Sequence, residues 1–223
     1  MDLERLREAI GYRFRDEDLL RRALTHASYG AAHNERLEFL GDSVLNCAVA
    51  LELYSKFPQL TEGELSRLRA SLVSQPSLAV AAGTHDLGSH LQLGEGERKT
   101  GGARRPSVLA DALEAVVGAA FLDGGFDAAR TVVQRLFGAA LMNIDPVTTG
   151  KDPKTLLQEY LHSRRLPLPR YSVVATRGEA HELVFEVECE IASLGVRTPG
   201  EGPSRRSAEQ EAARAAYQRA TQT

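Results

Sequence analysis

The sequence predicts an all-α domain followed by a small α+β domain of order α-β-β-β-α. Before residue 150, apolar side chains recur at helical spacing almost throughout. After it, the pattern changes to helix, alternating strands and helix. Between the two, Asn143 to Pro153 (NIDPVTTGKDP) is rich in turn formers and poor in apolar residues, the composition of a boundary. The expected limits are 1–145 for the first domain, 146–152 for a flexible linker and 153–223 for the second domain.

The elements follow in order. The opening stretch, MDLERLREAIGYRF, is amphipathic. Asp16 to Leu24 reads as a short helix with acids in its first turn. Asn34 to Phe57 reads as a long helix, with Asn34 as its cap, Leu37, Leu40, Val44, Leu45 and Val49 at helical spacing, and Pro58 at its end. Thr61 and Glu64 form a capping-box pattern that opens a helix to Val73. Pro76 suits the first turn of the next helix. The Gly-rich, polar stretch Gly94 to Ser107 reads as a loop. Ser107 to Leu122 reads as a strongly apolar helix stopped by Asp123-Gly124-Gly125, and Phe126 to Leu141 closes the domain.

In the second domain, Asp152-Pro153 is a cap followed by Pro at the first helical position, with the helix running to about Ser163. Arg170 to Thr176 and His181 to Ile191 are expected strands. In the latter, Leu183, Phe185, Val187 and Cys189 alternate with glutamates, giving an apolar and a solvated face. A short third strand is expected near Leu194 to Thr198, and an Ala-rich helix from Ser204 to Ala220.

The composition is that of a soluble globular chain, with 43% hydrophobic and 26% charged residues. No apolar run reaches the ~18–20 residues that cross a bilayer, and the start lacks a basic-then-apolar secretory pattern. The cytosol is therefore the expected compartment, no membrane partner is expected, and Cys47 and Cys189 should be reduced thiols. The net charge of -3 argues weakly against a nucleic-acid partner, but it is unevenly spread. Residues 1–150 hold 16 Lys and Arg against 20 Asp and Glu, and residues 151–223 hold 11 against 10.

The most informative segment is NERLEFLGDSVLN, Asn34 to Asn46. Glu38 and Asp42 lie four apart on one helix, within about 40° on the helical wheel, so both acids face one way. Gly41 between them costs roughly 1 kcal/mol against Ala in a helix interior, which implies a close approach to the backbone there. A second apolar helix, SVLADALEAVVGA from Ser107, carries only Asp111 and Glu114, which share a face at a spacing of three. Gly118 lies one turn further on.

Four carboxylates in apolar surroundings suggest a single site for a hard divalent cation, Mg²⁺ or Mn²⁺, rather than zinc. Such a site can activate water and stabilise charge on a phosphodiester. Acid pairs on helices are more often solvated or salt-bridged, and Arg36, Arg67 and Arg69 could partner them, so spacing alone leaves both readings open. No Cys-x-x-Cys, His-Glu-x-x-His or phosphate-cradling Gly-Lys-Ser/Thr motif is present. The single Glu159–His162 pair falls short of a di-iron bundle.

NERLEFLGDSVL closely resembles the ribonuclease III family. The resemblance continues through LTHASY (Leu24 to Tyr29), EGELSRLRASLVS (Glu62 to Ser74), LGEGERKTGG (Leu93 to Gly102) and LADALEAVVGAAFLDGG (Leu109 to Gly125). The second domain resembles a double-stranded-RNA-binding domain. The resemblance implies that Glu38, Asp42, Asp111 and Glu114 are the metal and catalytic carboxylates, with Asp42 and Glu114 the most sensitive to substitution. It implies attack by metal-activated water that leaves 5′-phosphate and 3′-hydroxyl ends, a homodimer with one strand cut at each of two sites, and processing of ribosomal and some messenger RNAs. Glu35 and Glu62 match acids that engage RNA near the cut. Phe39 matches an aromatic at the dimer junction, though it could equally be a core residue. A catalytically idle double-stranded-RNA-binding protein is the alternative.

A-form duplex is read by shape, across two minor grooves and the phosphates between them. Thr155 and Gln158 on the first helix of the second domain suit a minor groove. His181, after the turn RGEA, suits the next one. Ser204, Arg205 and Arg206 open the last helix, where positive charge and free backbone N–H groups favour phosphate. Each could also be an ordinary surface residue. The family often has Lys at Arg205 and Arg206, and Glu209 and Glu211 should moderate the local field.

Overall fold

The computed structural model describes residues 3–178 and 183–222. The chain divides into two units, Met1–Thr149 and Gly150–Thr223.

The first unit is helical. In α1 (Leu3–Ile10), Leu6 and Ile10, one turn apart, are fully buried. α2 (Glu17–Ala23) is capped by Asp16, whose carboxylate accepts the Asp18 N–H at 2.9 Å. α3 (Glu35–Lys56) does not use Asn34 as a side-chain cap. Asn34 is 4% exposed, has helical backbone angles, and donates its amide to the Ala23 carbonyl at 3.3 Å. Its polar group is spent on joining the end of α2 to the start of α3. α4 (Glu62–Leu72) opens with the full Thr61–Glu64 capping box, and α5 (Gln75–Thr84) has Pro76 in its first turn.

The stretch expected to be a loop contains α6 (Glu95–Lys99) and a 3₁₀ turn at Gly102–Arg104. Glycines there disguise the helical turn, which is held by the i,i+4 pair Lys99–Glu95 at 2.7 Å and by Arg105 on Glu97 at 2.6 Å. α7 (Pro106–Asn143) is continuous except at Gly125, whose φ of 76° and ψ of -168° break the helix where the Asp-Gly-Gly sequence predicts a stop. Just before the break, the Asp123 carboxylate accepts the Tyr12 hydroxyl at 2.7 Å and the backbone N–H groups of Arg15 and Asp16 at 2.9 Å. These bonds tie the N-terminal segment to α7.

α3 and α7 are the central pair. Leu45, Ala48, Val49, Leu113, Val117 and Ala120 between them are fully excluded from water. Their contact is set by two glycines. A Cβ on Gly41 would lie 1.8 Å from the Glu114 carbonyl oxygen, and one on Gly118 would lie 2.2 Å from the Leu37 carbonyl oxygen. The two backbones therefore touch where the acids project.

The second unit comprises α8 (Pro153–Ser163), β1 (Arg170–Arg177), β2 (Val184–Ile191), β3 (Val196–Gly202) and α9 (Arg205–Thr221). The strands form an antiparallel sheet in the order β1-β2-β3, with a bulge between Val173 and Ala175. Leu157 and Leu161 of α8, Cys189 and Ile191 of β2, and Ala212, Ala213 and Ala216 of α9 form its core. The alanines let α9 lie against β3, where a Cβ on Gly200 would stand 2.2 Å from the Ala212 nitrogen. The third strand is longer than expected and starts later, because Ala192–Leu194 makes a 3₁₀ turn and Gly195 takes a left-handed conformation, φ 63°.

Among the described residues, no helix is long and apolar enough to cross a membrane.

Candidate active site

α3 and α7 bring three of the four expected acids to one place. Carboxylate oxygens of Glu38, Asp111 and Glu114 lie within 4.8 Å of one another. Asp42 stands at the exposed edge of the group. Its Oδ1 accepts from Asn46 Nδ2 at 3.0 Å, and its charge raises the pKa of both Glu114 and Glu38.

The electrostatics are those of anions held together with little compensation among the described residues. Burial, followed by the charges of Asp42, Glu38 and Asp111, pushes Glu114 up to about 7. Burial and then Asp111, Glu35 and Asp42 raise Glu38. Burial raises Asp111, with His26 pulling the other way. Each side chain is half-buried. Such a set is unfavourable when ionised and becomes favourable when a cation sits among it. The donors are all carboxylate oxygens on adjacent turns of two packed helices, a set that fits a hard divalent ion and offers no nitrogen or sulfur ligand.

An open depression of about 320 Å³ beside the acids is lined by His26, Ala27, Asn34, Glu35, Glu38 and Asp111. Glu35 therefore joins the rim of the site. Its carboxylate lies 3.7 Å from His33 Nδ1. Glu62 is not brought to the acids. It accepts the Ser66 hydroxyl at 2.7 Å and lines a separate, mainly apolar depression with Cys47, Leu51 and Tyr54. Phe39 is 80% exposed, so it is not the core residue that its apolar neighbours allowed.

Sequence reasoning missed His26 and Asn46. His26 faces the depression, with Nδ1 accepting the Ser28 N–H at 3.1 Å. Asn46, one turn after Asp42, donates to both its carboxylate and its carbonyl. The i,i+4 spacing of Asp42 and Asn46 was a usable signal for that contact.

In the second unit, Gln158 is exposed on α8. Thr155 is partly committed, because its hydroxyl donates to Asp152 Oδ2 at 2.7 Å. Ser204 caps α9, and its hydroxyl and that of Ser207 serve each other's N–H groups. Arg205 donates to Glu209 at 2.8 Å, whereas Arg206 is exposed and has no ion-pair partner among the described residues. His181 lies outside the described residues.

Comparison with known proteins agrees with this division. Residues 16–141 match the family model described as ribonuclease-III-like, and residues 153–219 match the double-stranded RNA binding motif. The chain is 63% identical over 212 residues to Ribonuclease 3 of Thiobacillus denitrificans, covering 95% of this chain and 94% of the relative. It is 59% identical to Ribonuclease 3 of Ralstonia nicotianae, covering 99% and 86%. A crystal structure of the nuclease domain of ribonuclease III from Campylobacter jejuni superimposes with a TM-score of 0.61 at 43% identity, over 65% of this chain and 99% of that one. A second structure of that domain, concerned with flexibility in a region involved in dimer formation, gives 0.60 at 44% identity, over 62% and 97%.

Proposed function

The chain belongs to the ribonuclease III family, and on that premise we propose that it is a divalent-cation-dependent endoribonuclease of double-stranded RNA, acting as a homodimer. The observation that carries this is the meeting of Glu38, Asp111 and Glu114 within 4.8 Å, with Asp42 at their edge.

The proposed ligands are Glu38, Asp42, Asp111 and Glu114, and the proposed ion is Mg²⁺, with Mn²⁺ as a substitute. When bound, the ion supplies a water of lowered pKa and positive charge for the phosphodiester oxygens. The chain's own residues do the positioning. The Gly41–Gly118 contact fixes the two helices, so the carboxylates keep their places as substrate enters. Asn46 orients Asp42. Burial and the neighbouring carboxylates make an ionised Glu114 costly until a cation joins the set. Hydrolysis at phosphorus then leaves the 5′-phosphate and 3′-hydroxyl ends that the resemblance implies.

The second unit provides the grip, by shape, through Thr155, Gln158, Ser204, Arg205 and Arg206. Self-association is assigned to the surface around Phe39, a large apolar side chain left in water by the single chain. Natural targets in ribosomal and messenger RNA precursors, and a cytoplasmic location in which the free thiols of Cys47 and Cys189 persist, complete the reading. The idle RNA-binding alternative has no observation in its favour, since all four acids are present.

The test is incubation of the purified protein with long duplex RNA, single-stranded RNA and duplex DNA, each in Mg²⁺ and in EDTA. Cutting of duplex RNA alone, in Mg²⁺ alone, is expected. Intact duplex RNA in Mg²⁺ at moderate salt would remove the enzymatic reading.

A further inference from the structure

The residues assigned to RNA in the second unit sit on two helices, Thr155 and Gln158 on α8 and Ser204 to Arg206 at the start of α9. A protein that reads duplex shape rather than base edges tells A-form from B-form by distances between grooves and phosphates. Its contact elements must therefore be held at a fixed separation.

The first turns of α8 and α9 are joined by a polar network centred on Glu209. Glu209 Oε2 accepts from Lys154 Nζ of α8 at 2.7 Å, and its Oε1 accepts from Arg205 Nε of α9 at 2.8 Å. The next residue makes a second link. Gln210 Oε1 accepts the Lys154 N–H at 3.1 Å, and its Nε2 donates to Asp152 Oδ1 at 2.9 Å. Lys154 is further held over the Tyr171 ring, 4.5 Å from its centroid.

An acid beside a phosphate-facing helix end opposes RNA binding by charge alone. Glu209 is nevertheless there, with its side chain only 12% exposed and both oxygens engaged by cations. Those two bonds hold its carboxyl below the usual range.

We propose that Glu209, working through Lys154, is a specificity-determining positioning residue that sets the spacing between α8 and the N-terminal end of α9 and so selects A-form duplex RNA over B-form duplex DNA. This rests on the reading that the second unit grips duplex RNA.

Two explanations of Glu209 predict opposite signs. If it only damps the local field, Glu209→Gln adds net positive charge and tightens binding to every duplex. If it holds the spacing, Glu209→Gln weakens binding to RNA while DNA binding stays level or tightens.

The experiment is fluorescence anisotropy with the full chain in EDTA, which prevents cutting, on duplex RNA and duplex DNA of one sequence at two salt concentrations. For Glu209→Gln the ratio of RNA to DNA affinity should fall by about tenfold, the effect of roughly 1.4 kcal/mol. Lys154→Met breaks the same link from α8 and should shrink the ratio alike. In the RNA-to-DNA ratio the double variant should fall well short of the sum of the two single losses, because both break the Lys154–Glu209 link.

Parallel tightening on both duplexes overturns the proposal, and so does parallel weakening, which marks Glu209 as a folding residue. Additive losses in the double variant also overturn it. Wild-type protein that fails to bind duplex RNA would first remove the duplex-binding reading, whereas wild-type protein that binds both duplexes equally would overturn the proposal alone.

Discussion

Gly41 of α3 and Gly118 of α7 meet backbone to backbone, so that a Cβ on Gly118 would stand 3.0 Å from the Gly41 nitrogen and 2.2 Å from the Leu37 carbonyl oxygen. Neither glycine carries chemistry, yet their contact sets where Glu38 on one helix meets Asp111 and Glu114 on the other.

Alanine at either glycine should therefore act against its usual sign. In an ordinary helix interior, Gly→Ala stabilises by up to about 1 kcal/mol. Here Gly41→Ala and Gly118→Ala must push two backbones apart, at a cost of about 1–3 kcal/mol. Thermal unfolding should show a lowered midpoint, and duplex cleavage should fall more steeply than folded fraction. A raised midpoint with full activity would show that the contact is not needed.

Glu114→Gln should leave duplex RNA binding near wild type while cleavage falls by at least about 100-fold, because several kcal/mol of cation-assisted stabilisation is lost at one ligand. Gel-shift and single-turnover cleavage on one RNA separate the two effects. Loss of binding in parallel with cleavage would contradict the division of labour between the units.

How far this was legible in the sequence differs by level. The helices of the first unit could be read from apolar spacing, and capping chemistry placed α4 and α8 to within a residue or two. α6 could not be read, because four glycines between Gly94 and Gly102 mask a turn that ion pairs stabilise. Asn34 stands at the cap position but does not cap with its side chain, because its backbone is helical and its amide is turned to the Ala23 carbonyl. The acid pairs were visible on each helix, but spacing alone cannot say that two helices cross. Gly41 hinted at a close approach without naming Gly118 and Glu114 as what approaches. His26 was invisible as a site residue, since only the fold brings the end of α2 beside α7.

The acid cluster gives stability a pH dependence of known sign. Glu114 is raised from 4.5 to about 7, so the folded chain holds more protons than the unfolded one between those values. In EDTA, this contribution to stability is present below pH 4.5 and is lost as pH rises through about 7, with Glu38 and Asp111 shifted the same way. A divalent ion binds the ionised set and releases its protons. The rise in unfolding midpoint on adding Mg²⁺ should therefore be larger at pH 8 than at pH 5.5. An increment that is equal at both, or larger in acid, would contradict the proposed site.

Phe39→Ala should weaken self-association of the chain. A large exposed aromatic at the centre of an interface is typically worth 2 kcal/mol or more, about 30-fold in the dimer dissociation constant. Sedimentation at a series of concentrations reads this directly, and unchanged dimerisation would move the junction elsewhere.

Titration calorimetry with Mn²⁺ puts the question most simply, in wild type and in Glu38→Gln, Asp111→Asn and Glu114→Gln. Three carboxylates that share an ion predict saturable binding in the wild type and clear weakening in each variant. Full affinity in all of the variants would mean that no common ion lies between α3 and α7.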